Sequence, residues 1–442
     1  MTLKKKNETI KSKLKKFYQP YISVTTNDLG GLHSAIRFTL LCGRVMGLLP
    51  VAGLRNIKSH KVRFTLRSLY TPYYITSVLG QVLLFITTYM WIIQQGITLS
   101  NATNAVFYAS SLVSSINLLN IGRNWPVLLR KVEEIESNLP PLSRKVAFLC
   151  NITTVVTLLA ALVEHILSIL HGFAIANSCD PDHVYENYFR QYMPWIFDYT
   201  PYALWKGILI EIINIQSTFI WSYNDLIIMT ISIYLTGHFT THNELLEKAV
   251  YQAHFSCEDF RTQHLKIVRL VKLINEQIGI YIVTSFGSNL YWICTQLFFS
   301  LNKTENGHLV PCKVAEVDVP NHQLVLWIDW ITQILFFRLT YCNEHTIYFL
   351  YSFLFLAMKT MLVLLLAARV HSTSTEPLII LYNMPGNIFN IEVERFITQI
   401  KNIKVALSGL DFFYVTKTMI LTLLGTIVTY ELVLLQFNGQ GN

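Results

Sequence analysis

Charged residues are scarce in this sequence. Asp, Glu, Lys and Arg make up 14% of its 442 residues, whereas hydrophobic residues make up 52%. Soluble domains carry about 25% charged residues, so the composition excludes an ordinary water-soluble globule. It indicates a polytopic membrane protein.

The sequence also lacks the motifs of common enzyme chemistry. It contains no P-loop, no GxGxxG turn after a strand and no nucleophile elbow. Its seven cysteines show no CxxC or other metal-like spacing, and the pair His238 and His242 has no second well-spaced pair. We therefore expect no enzyme activity, no cofactor and no metal site.

What the sequence does contain is a series of long apolar runs. A helix needs about 20 apolar residues to cross a bilayer, and seven runs meet that requirement: 71–94, 102–121, 147–172, 203–236, 277–301, 345–369 and 414–437. The sequence thus predicts an all-α, multi-pass protein of the plasma membrane with seven transmembrane helices. No apolar core follows the basic start, so we expect no cleavable signal peptide.

The charges of the loops predict the orientation. Residues 1–69, 122–146 and 237–276 hold most of the Lys and Arg, whereas 95–101 holds none and 173–202 holds only Arg190. Because cytoplasmic loops are enriched in Lys and Arg, the amino terminus is expected inside and the carboxy terminus outside. This orientation is opposite to that of a seven-helix G-protein-coupled receptor. The net charge of +8 is read as contact with membrane lipid, not with nucleic acid.

The last run carries polar residues along one stripe of a helix. Steps of three and four residues join the members of the stripe, which are Thr422, Thr426, Thr429, Val433, Gln436 and Gln440. Lipid offers hydroxyls and amides no partners, so the stripe needs water or protein beside it. Two interpretations stay open: a helix packed in a bundle, with each Thr bonded to its own i−4 carbonyl, or a helix lining an aqueous pore.

The run GTIVTYELVLLQF (Gly425–Phe437) resembles the carboxy-terminal signature of the insect gustatory receptors, in particular their sugar-receptor branch. GLLPVAG (Gly47–Gly53), LVEHILSIL (Leu162–Leu170) and SFGSNLYWICTQL (Ser285–Leu297) are similar to segments of the same branch. The resemblance implies a tetrameric, ligand-gated, non-selective cation channel with the last helix lining its pore. It implies sugars as ligands and either a homotetramer or a heteromer with related receptors.

The resemblance also implies roles for residues of the last helix. Val433 falls at the hydrophobic gate, Gln436 at the neighbouring polar ring and Thr429 on the pore-facing stripe. Tyr430 belongs to the signature, and Glu431 lies roughly opposite the stripe, so both are assigned structural or coupling roles. Asp225 is assigned such a role as well, because it lies nearer the inner half of its span.

Four regions are expected on this basis. Residues 1–69 form a cytoplasmic region with an interfacial helix at Phe38–Leu54, 70–369 form a ligand-binding domain of transmembrane helices 1–6, 370–413 hold a cytoplasmic anchor helix, and 414–442 form the pore-lining helix. Residues at helical spacing predict that the anchor helix packs with the inner end of the fourth span: Val393, Phe396, Ile397, Ile400, Ile403 and Leu407.

Polar side chains in the outer halves of the spans are candidates for ligand binding, since such groups are costly in hydrocarbon. The candidates are Glu164, His165, Glu211, Asn289, Trp292, Tyr348 and Ser111. Carboxylates and amides that engage two hydroxyls each, beside an aromatic platform, suit a sugar. The alternative for each residue is an interhelical hydrogen bond.

The outer loops carry the predicted modifications. Asn101 and Asn302 begin glycosylation motifs predicted outside, and Cys179, Cys312 and Cys342 allow one disulfide. Residues 302–343 form an insertion relative to the family. The side of the membrane on which 324–340 lies is left open, because this segment is short and contains two charges.

The sequence-based conclusion is a taste receptor for sugars in which the ligand opens a central pore. A membrane sugar transporter and a seven-helix G-protein-coupled receptor are the alternatives, although no internal repeat of the transporter kind is visible.

Overall fold

The computed structural model describes residues 31–56, 61–250, 256–301, 343–386 and 388–439. These residues are mostly helical, with two short hairpins. In chain order the elements are α1 (Leu32–Val45), β1 (Val51–Ala52), β2 (Arg63–Phe64), α2 (Tyr70–Gln95), α3 (Leu99–Glu136), α4 (Arg144–Cys179), α5 (Val184–Tyr192), α6 (Pro194–Phe197), α7 (Leu204–Ala249), α8 (Cys257–Leu301), α9 (Asn343–Thr375), α10 (Pro377–Tyr382), α11 (Ile391–Asn402), β3 (Ser408–Gly409), β4 (Phe413–Tyr414) and α12 (Lys417–Gly439).

Long helices occur at each of the seven predicted spans: α2, α3, α4, α7, α8, α9 and α12. Among the described residues, four stretches are long and apolar enough to cross a membrane, namely Tyr70–Gln95, Asn101–Glu136, Arg144–Cys179 and Ile347–Tyr382. A shorter apolar stretch covers Lys417–Tyr430 of α12. The crossing of the other helices and the direction of the chain remain predictions.

Helix α7 is the central helix of the bundle. It packs against α1, α3, α4, α8 and α9, and the run from Ser222 to Ser232 is buried all round its circumference. A helix that is surrounded in this way needs internal partners for its polar groups. Thr230 and Ser232 meet this need by donating to the carbonyls of Leu226 and Ile228, at 2.9 and 2.7 Å.

Helices α7 and α8 are longer than the predicted spans. The span predicted to end at residue 236 continues to Ala249, and the one predicted to begin at 277 starts at Cys257. Both extensions are amphipathic, and their apolar sides pack with α10 and α11 in one buried cluster, which includes Leu246, Phe260 and Phe396. Tertiary packing of this kind, not membrane insertion, accounts for the extra helical turns.

The predicted anchor helix corresponds to α11, which packs with the carboxy-terminal end of α7 but is shorter than predicted. Asn390 caps it by accepting from the backbone N–H groups of Glu392 and Val393, at 3.0 and 3.2 Å. Ile403 and Leu407, which were predicted to continue the helix, lie beyond its end at Asn402. There the chain becomes extended and enters the β3–β4 hairpin.

The predicted interfacial helix at Phe38–Leu54 is displaced. Helix α1 begins earlier, at Leu32, and ends at Val45, because Gly47 adopts a positive φ of 78° and the chain then forms β1. One face of α1 is buried against α4 and α7. On that face Tyr223 donates to the carbonyl of Thr39 at 3.0 Å.

Several predicted features lie outside the described residues: Asn302, Cys312, Cys342 and the segment 324–340. Cys179, at the end of α4, is disulfide-bonded. Asn101 lies in the first turn of α3, where its side-chain amide donates to the carbonyl of Gly96 at 3.2 Å. Its glycosylation remains a prediction.

Two buried histidines in the α7 and α8 extensions predict how stability depends on pH. Burial, and then the neighbouring His242, lowers the pKa of His264 to about 3, and burial also lowers the pKa of His242. The pKa of an unperturbed histidine is about 6.5, so these two histidines bind protons more tightly in the unfolded chain than in the folded protein. The free energy of unfolding is therefore highest above about pH 6.5, and it decreases as the pH falls toward the pKa of the histidine in the folded protein.

We expect His264 alone to cost the folded state about 1.4 kcal/mol between pH 7.5 and pH 5.5. Thermal unfolding at the two pH values measures the loss. His264→Gln is expected to reduce the pH dependence, because a glutamine side chain does not titrate. Equal pH dependence of wild type and His264→Gln would contradict the assignment.

Candidate functional site

A cavity of about 240 Å³ lies among α3, α4, α7, α8 and α9, and residues of α5 and α6 contribute to its wall. Five of the seven residues predicted to bind ligand line it: Glu164, His165, Glu211, Trp292 and Tyr348. The cavity is also lined by residues outside that set of seven: Asn104, Phe107, Tyr108, Ser168, Ile169, Tyr188, Tyr192, Met193, Trp195, Asn214, Thr218, Trp221, Gln296 and Ser352.

Four buried polar atoms on the cavity wall have no hydrogen-bond partner among the described residues. They are Nε2 of His165, Nε1 of Trp195, Nε1 of Trp292 and Oε1 of Gln296. A buried polar group without a partner costs about 1–3 kcal/mol, so it is rare unless something else satisfies it. Because the four atoms include both donors and an acceptor, a ligand rich in hydroxyl groups would complement them.

The two carboxylates of the cavity differ in how firmly they are held. Glu164 accepts from the Ser352 hydroxyl at 2.8 Å, and Ser352 in turn accepts from the Gln296 amide at 3.2 Å. Among the described residues the hydrogen bonds to Glu211 are long, from Tyr188 and Asn214, each at 3.4 Å. Glu211 can therefore exchange these weak partners for a ligand hydroxyl, whereas Glu164 is already oriented.

His165 and Tyr188 both lie beside the Glu211 carboxylate. The His165 Nε2 atom is 3.4 Å from Oε1 of Glu211, without hydrogen-bond geometry. Burial, and then the charge of Glu211, raises the pKa of Tyr188 in α5. The phenol therefore stays protonated and donates to Oε2 of Glu211.

Aromatic rings form much of the remaining wall. The Trp292 ring centroid lies 6.0 Å from that of Phe107 and 6.1 Å from that of Trp221. The rings of Tyr108 and Trp195 meet edge to face at 5.6 Å. The cavity thus combines apolar ring faces with carboxylate, amide and indole groups, as small-molecule sites commonly do.

A buried ion pair lies directly behind Trp221. Lys359 Nζ is 3.5 Å from the Trp221 ring centroid and 2.8 Å from Oδ2 of Asp225. Both charged side chains are almost fully buried, at 2% and 0% exposure. The sequence signal for Lys359 was available, since it is a lone cation in the apolar run FLFLAMKTMLVLLL.

Asn289 belongs to this buried network and does not line the cavity. Its amide donates to both carboxylate oxygens of Asp225, at 3.1 and 3.2 Å, while its oxygen accepts from Nε1 of Trp221 at 3.1 Å. Ser285 donates to the same carboxylate. Asn289, which was predicted to bind ligand, therefore lies behind the cavity wall, and its amide binds Asp225 instead.

Ser111 is likewise away from the cavity. It donates to Oε1 of Gln81 at 2.9 Å, and Ser217 donates to the same oxygen at 2.8 Å. The amide of Gln81 is 3.4 Å from Oε1 of Gln216. These residues form a polar cluster that joins α2, α3 and α7, which is the interhelical alternative that the sequence left open.

The Thr residues of α12 bond back to their own helix. Thr422, Thr426 and Thr429 donate to the carbonyls four residues earlier, at 3.3, 2.9 and 2.8 Å. All three are nevertheless exposed in the protomer, and Val433 is 42% exposed. The side chains of Glu431, Gln436 and Gln440 lie outside the described residues.

The trehalose receptor family model matches residues 10–310 and 333–442. The gustatory receptor for sugar taste 64f of Drosophila melanogaster is 28% identical over 424 residues, which cover 93% of this chain and 82% of the relative. Gustatory receptor 5a for trehalose, from the same species, is 28% identical over 450 residues, 98% of this chain and 91% of the relative.

A solved structure shares the fold. The insect olfactory receptor OR5 from Machilis hrabei, in complex with eugenol, superposes with a TM-score of 0.59 at 14% sequence identity. The match covers 91% of this chain and 97% of that chain.

The buried ion pair behind the cavity predicts an unequal response to single and double substitution. Asp225→Leu leaves Lys359 charged and buried without its partner, and Lys359→Met does the same to Asp225, at a cost of about 3–5 kcal/mol each. The double variant removes both charges, so we expect it to recover part of the folded yield that either single variant loses. Gel-filtration yield and the thermal midpoint measure this.

One outcome would contradict the ion pair. If the double variant loses as much as the two single variants added together, the two groups do not stabilise each other, and the pairing is wrong.

Proposed function

We propose that this chain, which belongs to the trehalose receptor family, is a sugar receptor that acts as a ligand-gated, non-selective cation channel. It is a multi-pass membrane protein of the insect gustatory receptor type, a family of receptors and not of enzymes. The observation that carries the proposal is the cavity with four unpartnered polar atoms, two carboxylates and a wall of aromatic rings.

A sugar carries the hydroxyl groups that would pair with the polar atoms of this cavity. Its hydroxyls both donate and accept, so they can pair with the indoles of Trp195 and Trp292 and with the oxygen of Gln296. Glu164 and Glu211 can each accept from two hydroxyls, and the aromatic rings can contact the apolar C–H faces. A compound with fewer hydroxyls would leave some of these groups unpaired, which gives a basis for selectivity.

Trp221 offers a route by which an occupied cavity affects the rest of the bundle. One side of Trp221 lines the cavity, whereas its ring contacts Lys359 and its Nε1 donates to Asn289. A ligand that moves Trp221 therefore acts on α8, through Asn289, and on α9, through Lys359. Helix α12 packs against both of these helices.

There is also space for α12 to move. An apolar cavity of about 200 Å³ lies between α8, α9 and α12, and its wall includes Phe286, Ala357 and Leu423. If sugar binds better to the arrangement in which α12 has moved, opening follows by population shift. Each ~1.4 kcal/mol of differential binding changes the ratio of open to closed channels tenfold.

The pore is proposed at a symmetry axis between four copies, with seven spans in each and the amino terminus inside. The exposed Thr residues of α12 and the exposed Val433 support this arrangement, because one polar stripe cannot enclose a channel alone. Val433 is the proposed gate, Thr429 and Gln436 its polar neighbours. Tyr430 and Glu431 are proposed to couple the helix to the protomer.

The direct test is to express the chain alone and record membrane currents against a panel of sugars. Sugar-evoked single-channel steps would support the proposal. Sugar uptake without such steps would favour a transporter, and a response that requires a G protein would favour a G-protein-coupled receptor.

Trp292 provides a test of the cavity. Trp292→Phe keeps a ring but removes the N–H donor, so we expect the sugar concentration for half-maximal current to rise about 5- to 150-fold, as for a loss of 1–3 kcal/mol. Trp125→Phe is the matched control. Its indole N–H is also buried without a partner among the described residues, but it lies in the core away from the cavity.

An unshifted dose response for Trp292→Phe would remove this indole from the sugar site. An equal shift for Trp125→Phe would show that the effect is structural.

Val433 provides a test of the gate. Val433→Ser places a hydroxyl where an apolar constriction is proposed, so water enters more readily and we expect current in the absence of sugar. Leu432→Ser is the control, because Leu432 is similarly exposed, at 50% against 42%, but lies about 100° further round the helix. A silent Val433→Ser channel with normal surface expression would argue against the gate assignment.

A further inference from the structure

A second large cavity lies at the end of the bundle where α2 begins. Its volume is about 600 Å³, and it is lined by residues of α1, by the turn that follows β1 and by the first residues of α2. Arg44, Val45, Arg55, Asn56, Tyr70 and Tyr73 are among these residues. This cavity is separate from the proposed sugar site, since the two share no lining residue.

The sequence around this cavity carries positive charge only. Residues 31–70 contain seven Lys and Arg but no Asp or Glu. Among the described residues that line the cavity there is no carboxylate, whereas there are two guanidinium groups. Since Arg presents a planar set of N–H donors that suits phosphate, the arrangement favours an anionic ligand over a neutral one.

The two arginines have different roles in the wall. Arg44 is held in place, because it donates to the carbonyl of Val51 and its guanidinium carbon lies 4.2 Å from the Tyr70 ring centroid. Tyr70 completes this arrangement by donating to the carbonyl of Arg44 at 2.7 Å. A guanidinium has five N–H donors, so Arg44 retains donors for a ligand.

Arg55 is the freer of the two. It is exposed and makes no hydrogen bond or ion pair within the described part of the chain. The turn that carries it is nevertheless tight. Gly53 has a φ of +84°, and an added Cβ there would lie 2.2 Å from the carbonyl oxygen of Lys61. Gly53 therefore fixes the start of this turn, while the Arg55 side chain remains available.

Apolar surface continues from this cationic rim. Val45 is 73% exposed and Tyr73 48% exposed, and both line the cavity. Leu69, immediately before α2, is fully exposed. A site for a soluble anion has no use for such a surface, whereas an amphiphile with an anionic head would cover it.

We propose that this cavity binds the phosphate-bearing headgroup of an anionic phospholipid, with Arg44 and Arg55 on the phosphate and the acyl chains along Val45 and Tyr73. The position agrees with this assignment, because the apolar helix α2 starts at the cavity and would enter the bilayer from there. Phosphatidylinositol phosphates, which carry an additional phosphomonoester, are the class that best matches two guanidinium groups.

The test uses the full chain in detergent and native mass spectrometry. Three probes are titrated: dioctanoyl phosphatidylinositol 4-phosphate, dioctanoyl phosphatidylcholine and the soluble inositol bisphosphate headgroup. We expect the phosphoinositide to bind most tightly. Arg55→Gln should weaken its apparent Kd about fivefold, since a basic residue near an anionic lipid contributes about 1 kcal/mol.

The controls separate the site from general charge and from a soluble ligand. Arg130→Gln removes an exposed arginine that does not line the cavity, so it should leave the Kd unchanged. Equal weakening by the two variants would overturn the site. Equal binding of phosphatidylcholine would overturn the selectivity for anions, and equal binding of the soluble headgroup would overturn the assignment to a lipid. None of these readouts depends on sugar or on channel opening.

Discussion

Hydrocarbon offers no hydrogen-bond partner, so every polar group inside a membrane-embedded bundle must find one within the protein. Most buried polar groups of this chain do so. Asp225 accepts from Ser285 and Asn289 and pairs with Lys359, and the Gln81 oxygen accepts from two serines on different helices. Against this background the cavity stands out, because four polar atoms on its wall have no partner in the described part of the chain.

The same constraint explains what the sequence could predict. A carboxylate or an imidazole in an apolar run is conspicuous, so Glu164, His165 and Glu211 could be identified without a structure, and all three line the cavity. The signature of the last helix identified the family, which the match of the trehalose receptor model over most of the chain confirms. The apolar runs also predicted the positions of the long helices, because a helix that crosses hydrocarbon needs a long apolar run.

What the sequence could not supply were partners across helices. An asparagine or a serine in a span signals that a hydrogen bond exists, but not whether the partner is a ligand or a neighbouring helix. Asn289 and Ser111 face Asp225 and Gln81, residues that are distant in sequence. The contribution of Tyr188, Tyr192 and Trp195 was missed as well, because α5 and α6 lie in a polar segment that reads as a loop.

The energetics of the Asp225–Lys359 pair bear on its role. A buried ion pair gains little net stability over well-packed apolar residues, because desolvation offsets most of the Coulomb attraction. Stability alone is therefore a poor reason for placing one behind the cavity. Its contacts are more informative. Lys359 touches the ring of a cavity residue, and Asp225 holds two residues of α8, so a change at Trp221 alters the surroundings of both charges.

The last helix extends the argument to the assembly. Its apolar residues Ile420, Leu423 and Ile427 face the cavity shared with α8 and α9, which turns the Thr stripe away from the protomer. Bonding to the i−4 carbonyl uses the hydroxyl proton of each Thr but leaves its oxygen lone pairs facing outward. Lipid cannot satisfy those lone pairs. In the proposed assembly, water at the axis between copies would satisfy them.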